Sequence, residues 1–137
     1  MGSREAAIAS ALKYFDEGGF RDRLATLIAI PSTSQDPAHQ GDVERYLAAA
    51  MQPWLERMGF VVAIHQNPRD GFGPILTAER IEHPGLNTIM TYGHGDTVRG
   101  LEDQWTPGLD PWTLTERGER WYGRGTADNK GQHALNL

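Results

Sequence analysis

The hydrophobic period of this chain changes at Gly59, and that change decides what it can fold into. Before Gly59, apolar residues recur every three to four positions; after it they gather in short β-branched runs. Glycine follows the same division, with four in the first 58 residues and twelve in the remaining 79. Helix interiors lose stability to glycine's backbone entropy, whereas turns use its freedom. A helical region over 4–58, a strand-and-loop region over 60–127 and the start of a further helix over 129–137 follow. Helices layered on strands make an α/β domain. At about 150 residues per domain, the length of 137 residues allows one.

Within the first region, Ile8, Leu12 and Phe15 predict a short amphipathic helix before Gly18-Gly19, and Phe20, Leu24, Leu27 and Ile28 predict a second before Pro31. The Ser/Thr/Pro/Gly-rich stretch from Ser32 to Gly41 reads as a loop. A longer helix follows, with Val43, Leu47, Ala50 or Met51, Trp54 and Met58 on one face and Gly59 at its C′ position. Pro53 removes a backbone donor and clashes one turn back, so a kink or break is expected near Gln52. Phe60–Ile64, Ile75–Ala78 and Asn87–Tyr92 predict strands, the last a buried central one. Trp112–Thr115 and Arg120–Tyr122 predict a hairpin around Gly118.

Composition removes several classes of function. Acidic side chains outnumber basic ones 18 to 13 and lysine occurs only at Lys13 and Lys130, so no basic face exists for nucleic acid. Without cysteine, any metal must be held by His, Asp and Glu. No apolar run approaches the ~20 residues of a membrane span, and Glu5, Lys13, Asp16 and Glu17 interrupt a signal-peptide pattern. A cytoplasmic protein with neither a nucleic-acid nor a membrane partner is expected.

Two motifs carry chemistry. In Gly93-His94-Gly95-Asp96, residues two apart in extended backbone project to one side, so His94 and Asp96 can address one volume that the glycines leave open. That suits an imidazole bound to a metal and a carboxylate that orients it; the alternative is a solvated turn in which Asp96 bonds nearby amides. In Gly123-Arg124-Gly125-Thr126-Ala127-Asp128-Asn129-Lys130-Gly131, no Ser or Thr follows Gly-Lys, which argues against a phosphate-binding loop and magnesium-dependent ATP binding near Lys130. Asp128 reads equally as a metal ligand or as the N-cap of the last helix. Trp105, Trp112 and Trp121 read as packing that pins a long loop. Arg124 reads as a salt-bridge former, and His39, His65, His83 and His133 as structural or surface groups.

Taken together, Met90–Val98, Trp105, Asp110-Pro111-Trp112 and Trp121–Gly131 resemble, in order and spacing, the N-terminal signatures of the zinc exopeptidase and amidohydrolase family of acetylornithine deacetylase, succinyl-diaminopimelate desuccinylase, aminoacylase and carnosinase. Ala29-Ile30-Pro31-Ser32 fits the same region, so the resemblance covers nearly the whole chain. It implies the N-terminal part of a zinc-exopeptidase-like catalytic domain, a mixed sheet flanked by helices. It implies His94 as a ligand of one metal, Asp128 as a bridge between two, and Asp96 as the catalytic-site aspartate behind His94. The implied reaction is hydrolysis of an amide or peptide bond in a small N-acyl amino acid or peptide, with water activated by two zinc ions, cobalt or manganese being alternatives.

In that family the Glu-Glu pair holding the general base, a further acidic ligand, the last His ligand and the lid or dimerisation domain follow the Asp128 block, and none is found in these 137 residues. The expectation is therefore an N-terminal piece, inactive alone, of an enzyme that is a homodimer at full length. The alternative is a non-catalytic interaction module that keeps the fold. A sheet cut in this way would expose an apolar face and an open edge, so association is expected.

Overall fold

Each helix of the first region is set by its ends. In the computed structural model, which describes residues 3–137, Met1 and Gly2 lie outside the described residues. Helix α1 (Arg4–Asp16) starts at Ser3, whose hydroxyl accepts the Ala6 N–H, and stops before Gly18 at φ +84°. It buries no residue, and Phe15 reaches only an aromatic cluster with Phe20 and Trp121. Helix α2 (Gly19–Ile28) buries Leu24, Leu27 and Ile28 and forms the centre of the core. The loop after it contains a 3-10 turn at Pro37–His39, capped by Asp36.

The long helix does not break at Pro53. It runs as α3 (Gln40–Arg45), a π-helical stretch (Tyr46–Met51) and α4 (Gln52–Arg57). A wider turn absorbs the hydrogen bond that proline cannot donate. It also rotates the apolar face, so that Tyr46, Ala50, Met51 and Leu55 are buried while Leu47, Trp54 and Met58 are only partly covered. Gly59, at φ +84°, ends the helix in a Schellman motif: its N–H reaches the Glu56 carbonyl and the Phe60 N–H reaches that of Leu55.

Strand β1 (Val61–His65) pairs antiparallel with β2 (Ile75–Glu79), Ala63 opposite Thr77, and Val62 and Leu76 lean on the core. Strands β3 (Thr115–Arg117) and β4 (Arg120–Tyr122) form the hairpin expected around Gly118, which has the positive φ its tight turn demands. The expected central strand over Asn87–Tyr92 is a correction: this segment forms neither strand nor helix, with Ile89, Met90 and Tyr92 each more than four-fifths exposed. A strand exists only through a neighbour's hydrogen bonds, and no described strand pairs with this segment. The architecture is thus α/β, with two antiparallel pairs and a single parallel bridge, Thr33 to Thr97, where the mixed sheet was expected. No described helix is long and apolar enough to cross a membrane.

The chain closes with α5 (Lys130–Asn136), packed against α2 through Ala134. Gly131 lies so close to the Thr126 carbonyl that no side chain fits there. Lys130 is fully buried, its ammonium donating to the Ile30 carbonyl at 2.5 Å.

Candidate functional site

The Thr33–Thr97 bridge, fixed by the Thr97 N–H on the Ser32 carbonyl at 2.8 Å, anchors the segment that carries His94 and Asp96. Both residues sit just before that anchor. The Asp128 segment is positioned by a tight turn: Thr126 bonds the Gly123 carbonyl through N–H and hydroxyl, Gly125 adopts φ +90°, and the Gly131 N–H returns to the Gly125 carbonyl. A β-carbon at Gly125 would press on Lys130 and Thr97, which ties this turn to the bridge. The peptide bond between Asp128 and Asn129 is cis.

These supports bring three side chains into line. Nδ1 of His94 lies 3.0 Å from Oδ1 of Asp96, and Nε2 lies 2.9 Å from Oδ1 of Asp128. The Ser34 hydroxyl donates to the other Asp96 oxygen at 2.5 Å. Burial alone would lower the His94 pKa, but hydrogen bonds to Asp128 and Asp96, with the Asp96 charge, outweigh it and the pKa is raised. With both ring nitrogens facing carboxylates, the protonated imidazole is the form the site favours. Asp128 stays 84% exposed, so the line opens to solvent.

Several alternatives read from the sequence are settled by these contacts. The N-cap of α5 is Asn129 rather than Asp128, whose carboxylate faces His94 instead. The Asp96 carboxylate meets His94 and Ser34. Lys130 is sealed from solvent, so an ATP phosphate has no route to it. Arg124 forms no described salt bridge; it donates to the Gly100 carbonyl at 3.0 Å and lies over Trp105. Trp105 and Trp112 pin the 100–105 loop through Gly100 and Glu102, as the packing reading expects.

His133 is the structural group among the four histidines whose contacts reach the site. Its Nδ1 lies 2.7 Å from the Tyr46 hydroxyl, and burial, with the charges of His94 and Lys130, pushes its pKa down to about 4. Tyr46 and Ser34 also border the site; helical spacing puts Tyr46 on the face of Val43 and Ala50, but nothing in the sequence ties either residue to His94 or Asp96. Tyr46 meets His133 across 87 residues, and Ser34 meets Asp96 across 62.

A two-carboxylate, one-imidazole line can share a cation, because a metal at Nε2 takes the place of a proton while Asp96 holds Nδ1. The donor set fits a divalent metal in type, though among the described residues no group of three or more His, Asp or Glu converges as a complete site. A recess of about 280 Å³ beside Thr33, His39, Arg99 and Trp112 and another of about 380 Å³ beside Phe20, Trp121 and Leu135 are both separate from His94 and Asp128.

The block from Met90 to Leu137, which contains all three residues, matches the model of peptidase family M20/M25/M40 over residues 90–137. Over these residues the chain is similar to that peptidase family. Acetylornithine deacetylase of Proteus mirabilis is 38% identical over 118 residues, covering 85% of this chain and 29% of that protein. The enzyme of the same name from Photorhabdus laumondii is 37% identical over 116 residues, with the same coverage of each. The crystal structure of human carnosine dipeptidase 1 superposes with a TM-score of 0.76 at 31% identity, covering 90% of this chain and 28% of that one. The dipeptidase Dug1p of Saccharomyces cerevisiae gives 0.75 at 25% identity, covering 91% and 28%. The chain thus has the α/β fold of these two dipeptidases and spans less than a third of the length of the curated relatives it matches.

Proposed function

We propose that this chain supplies the opening part of a metal-dependent hydrolase of amide or peptide bonds, with His94 as ligand of one cation and Asp128 as the carboxylate shared by two. The observation that carries the reading is the unbroken Asp96–His94–Asp128 line of hydrogen bonds. Asp96 acts here as a positioning group. Holding Nδ1 fixes the ring orientation and leaves Nε2 as the nitrogen that faces Asp128. Ser34 in turn holds the Asp96 carboxylate. When bound, zinc, or cobalt or manganese in its place, polarises the scissile carbonyl and lowers the pKa of the attacking water.

Two donors fall short of the three or four protein ligands a zinc ion takes. Groups outside these 137 residues, including a glutamate general base, complete the centre in this reading, and the chain alone is inactive. The similarity to a deacetylase and to two dipeptidases supports N-acyl amino acids or short peptides as substrates. The same reading makes the whole protein a cytoplasmic homodimer.

The test is hydrolysis of an N-acetyl amino acid and of a dipeptide by the full-length protein, before and after chelation and with zinc restored. The reading expects chelator-sensitive turnover and at least a hundredfold loss of kcat in Asp96→Ala. Turnover that survives both the chelator and the substitution would refute it.

A further inference from the structure

The two glycines on either side of His94 rest on two different aromatic rings, and those rings are bonded to each other. A β-carbon at Gly93 would overlap the His133 imidazole and lie 3.3 Å from the Asn129 amide nitrogen. One at Gly95 would lie 3.1 Å from Cδ1 of Tyr46 and equally close to Cδ2 of Leu47. The Tyr46 and His133 rings are 5.9 Å apart and tilted by 34°, and the hydroxyl-to-Nδ1 hydrogen bond of 2.7 Å joins them. Tyr46 is fully buried, so its position is fixed by the core rather than by solvent.

We propose that Tyr46 and His133 form a hydrogen-bonded platform that positions the His94 imidazole toward Asp128. The proposal rests on His94 being a metal ligand, as read above. Its logic is geometric. His94 is displayed on a short segment whose neighbours on both sides of Asn87–Tyr92 are missing from any sheet, so strand pairing does not hold it from the N-terminal side. The backbone at 93 and 95 is instead seated on the platform: no side chain fits at 93 without moving the His133 ring, and one at 95 would crowd the Tyr46 ring and Leu47.

The platform also links the two ends of the site. Tyr46 belongs to the π-helical stretch, and His133 belongs to α5, which begins two residues after Asp128. A single hydrogen bond across 87 residues therefore fixes the Gly93–Gly95 segment relative to the helix that follows Asp128. Supports of this kind behind metal ligands typically set metal affinity by a factor of about 10 to 100. Tyr46 and His133 touch neither substrate nor metal in this scheme; both act through the direction of the His94 ring.

The experiment uses the full-length protein and cobalt(II), whose visible absorption reports ligation directly. Tyr46→Phe keeps the ring beneath Gly95 and removes only the hydroxyl, whereas His133→Leu removes the other partner. Each is expected to weaken cobalt binding about tenfold. The double variant should bind no more weakly than the weaker single one, since one bond cannot be lost twice. Turnover should fall in kcat with KM within twofold of the parent. Cobalt affinity of Tyr46→Phe equal to that of the parent, with only the melting temperature lowered, would show mere packing and overturn the platform. His94→Ala serves as the control: if it binds cobalt as tightly as the parent, the ligand reading fails and takes the platform with it. If His94→Ala loses binding while Tyr46→Phe retains it, the platform alone fails.

Discussion

Replacing Lys130 with methionine tests how this fold carries a buried ammonium. Lys130 has no exposed surface, donates to the Ile30 carbonyl, and lies 5.1 Å from the Tyr46 ring and 5.8 Å from the Trp112 ring, with no described carboxylate in contact. Burial pushes its pKa from 10.5 down to about 7, against a weaker pull upward from Asp42. Between those values the unfolded chain holds a proton that the folded chain has released, so stability rises with pH across the window from 7 to 10.5 and is lost as pH falls toward 7. At 1.36 kcal/mol per unit, the whole effect is on the order of 5 kcal/mol, and about 3 kcal/mol of it falls between roughly pH 7.5 and 9.5. Methionine fills the space and does not titrate. It also leaves the Ile30 carbonyl unpaired, but that cost is the same at both pH values. Urea unfolding of parent and Lys130→Met at the two pH values should show the parent gaining about 3 kcal/mol on the variant as pH rises. A difference that stays constant, or shrinks, would refute the burial of a poorly compensated charge.

Other expectations concern packing, backbone and surface. Leu27→Ala empties a fully buried position at the centre of α2 and should cost about 2–5 kcal/mol by urea unfolding. Gly59→Ala places a β-carbon at φ +84° and should cost about 1–2 kcal/mol, read as a lower midpoint at unchanged slope. Ile89→Glu combined with Met90→Lys changes two residues that are almost wholly exposed, and should reduce self-association in light scattering; equal association in parent and variant would exclude this segment as the cause.

Features that depend on neighbouring residues were legible in the sequence. The Gly59 cap, the Gly118 turn and the β1–β2 segments arise from local torsional and period-two preferences and lie within a residue of their expected places, whereas the first hairpin strand begins at Thr115, three residues later than expected, and runs through Arg117. Asn87–Tyr92 was not legible, because an apolar run states a preference for burial while a strand needs a partner, and none is beside it. Tyr46 was hidden for another reason. It stands three residues after Val43 and four before Ala50, on the apolar face, but its hydroxyl makes it ambiguous as a core residue until its partner His133 is known. The His94 and Asp96 juxtaposition could be read from their spacing. Its extension to Asp128 crosses 34 residues, and the link from Tyr46 to His133 crosses 87, distances over which one sequence gives no geometric signal.

The central claim is that His94 and Asp128 share a metal. Anomalous diffraction at the zinc edge from crystals of the full-length protein grown with zinc tests it most directly. The account predicts a peak at about 2.0–2.2 Å from both Nε2 of His94 and a carboxylate oxygen of Asp128, with the Asp96 carboxylate still on Nδ1. Zinc bound elsewhere, with the His94–Asp128 hydrogen bond intact, would contradict it.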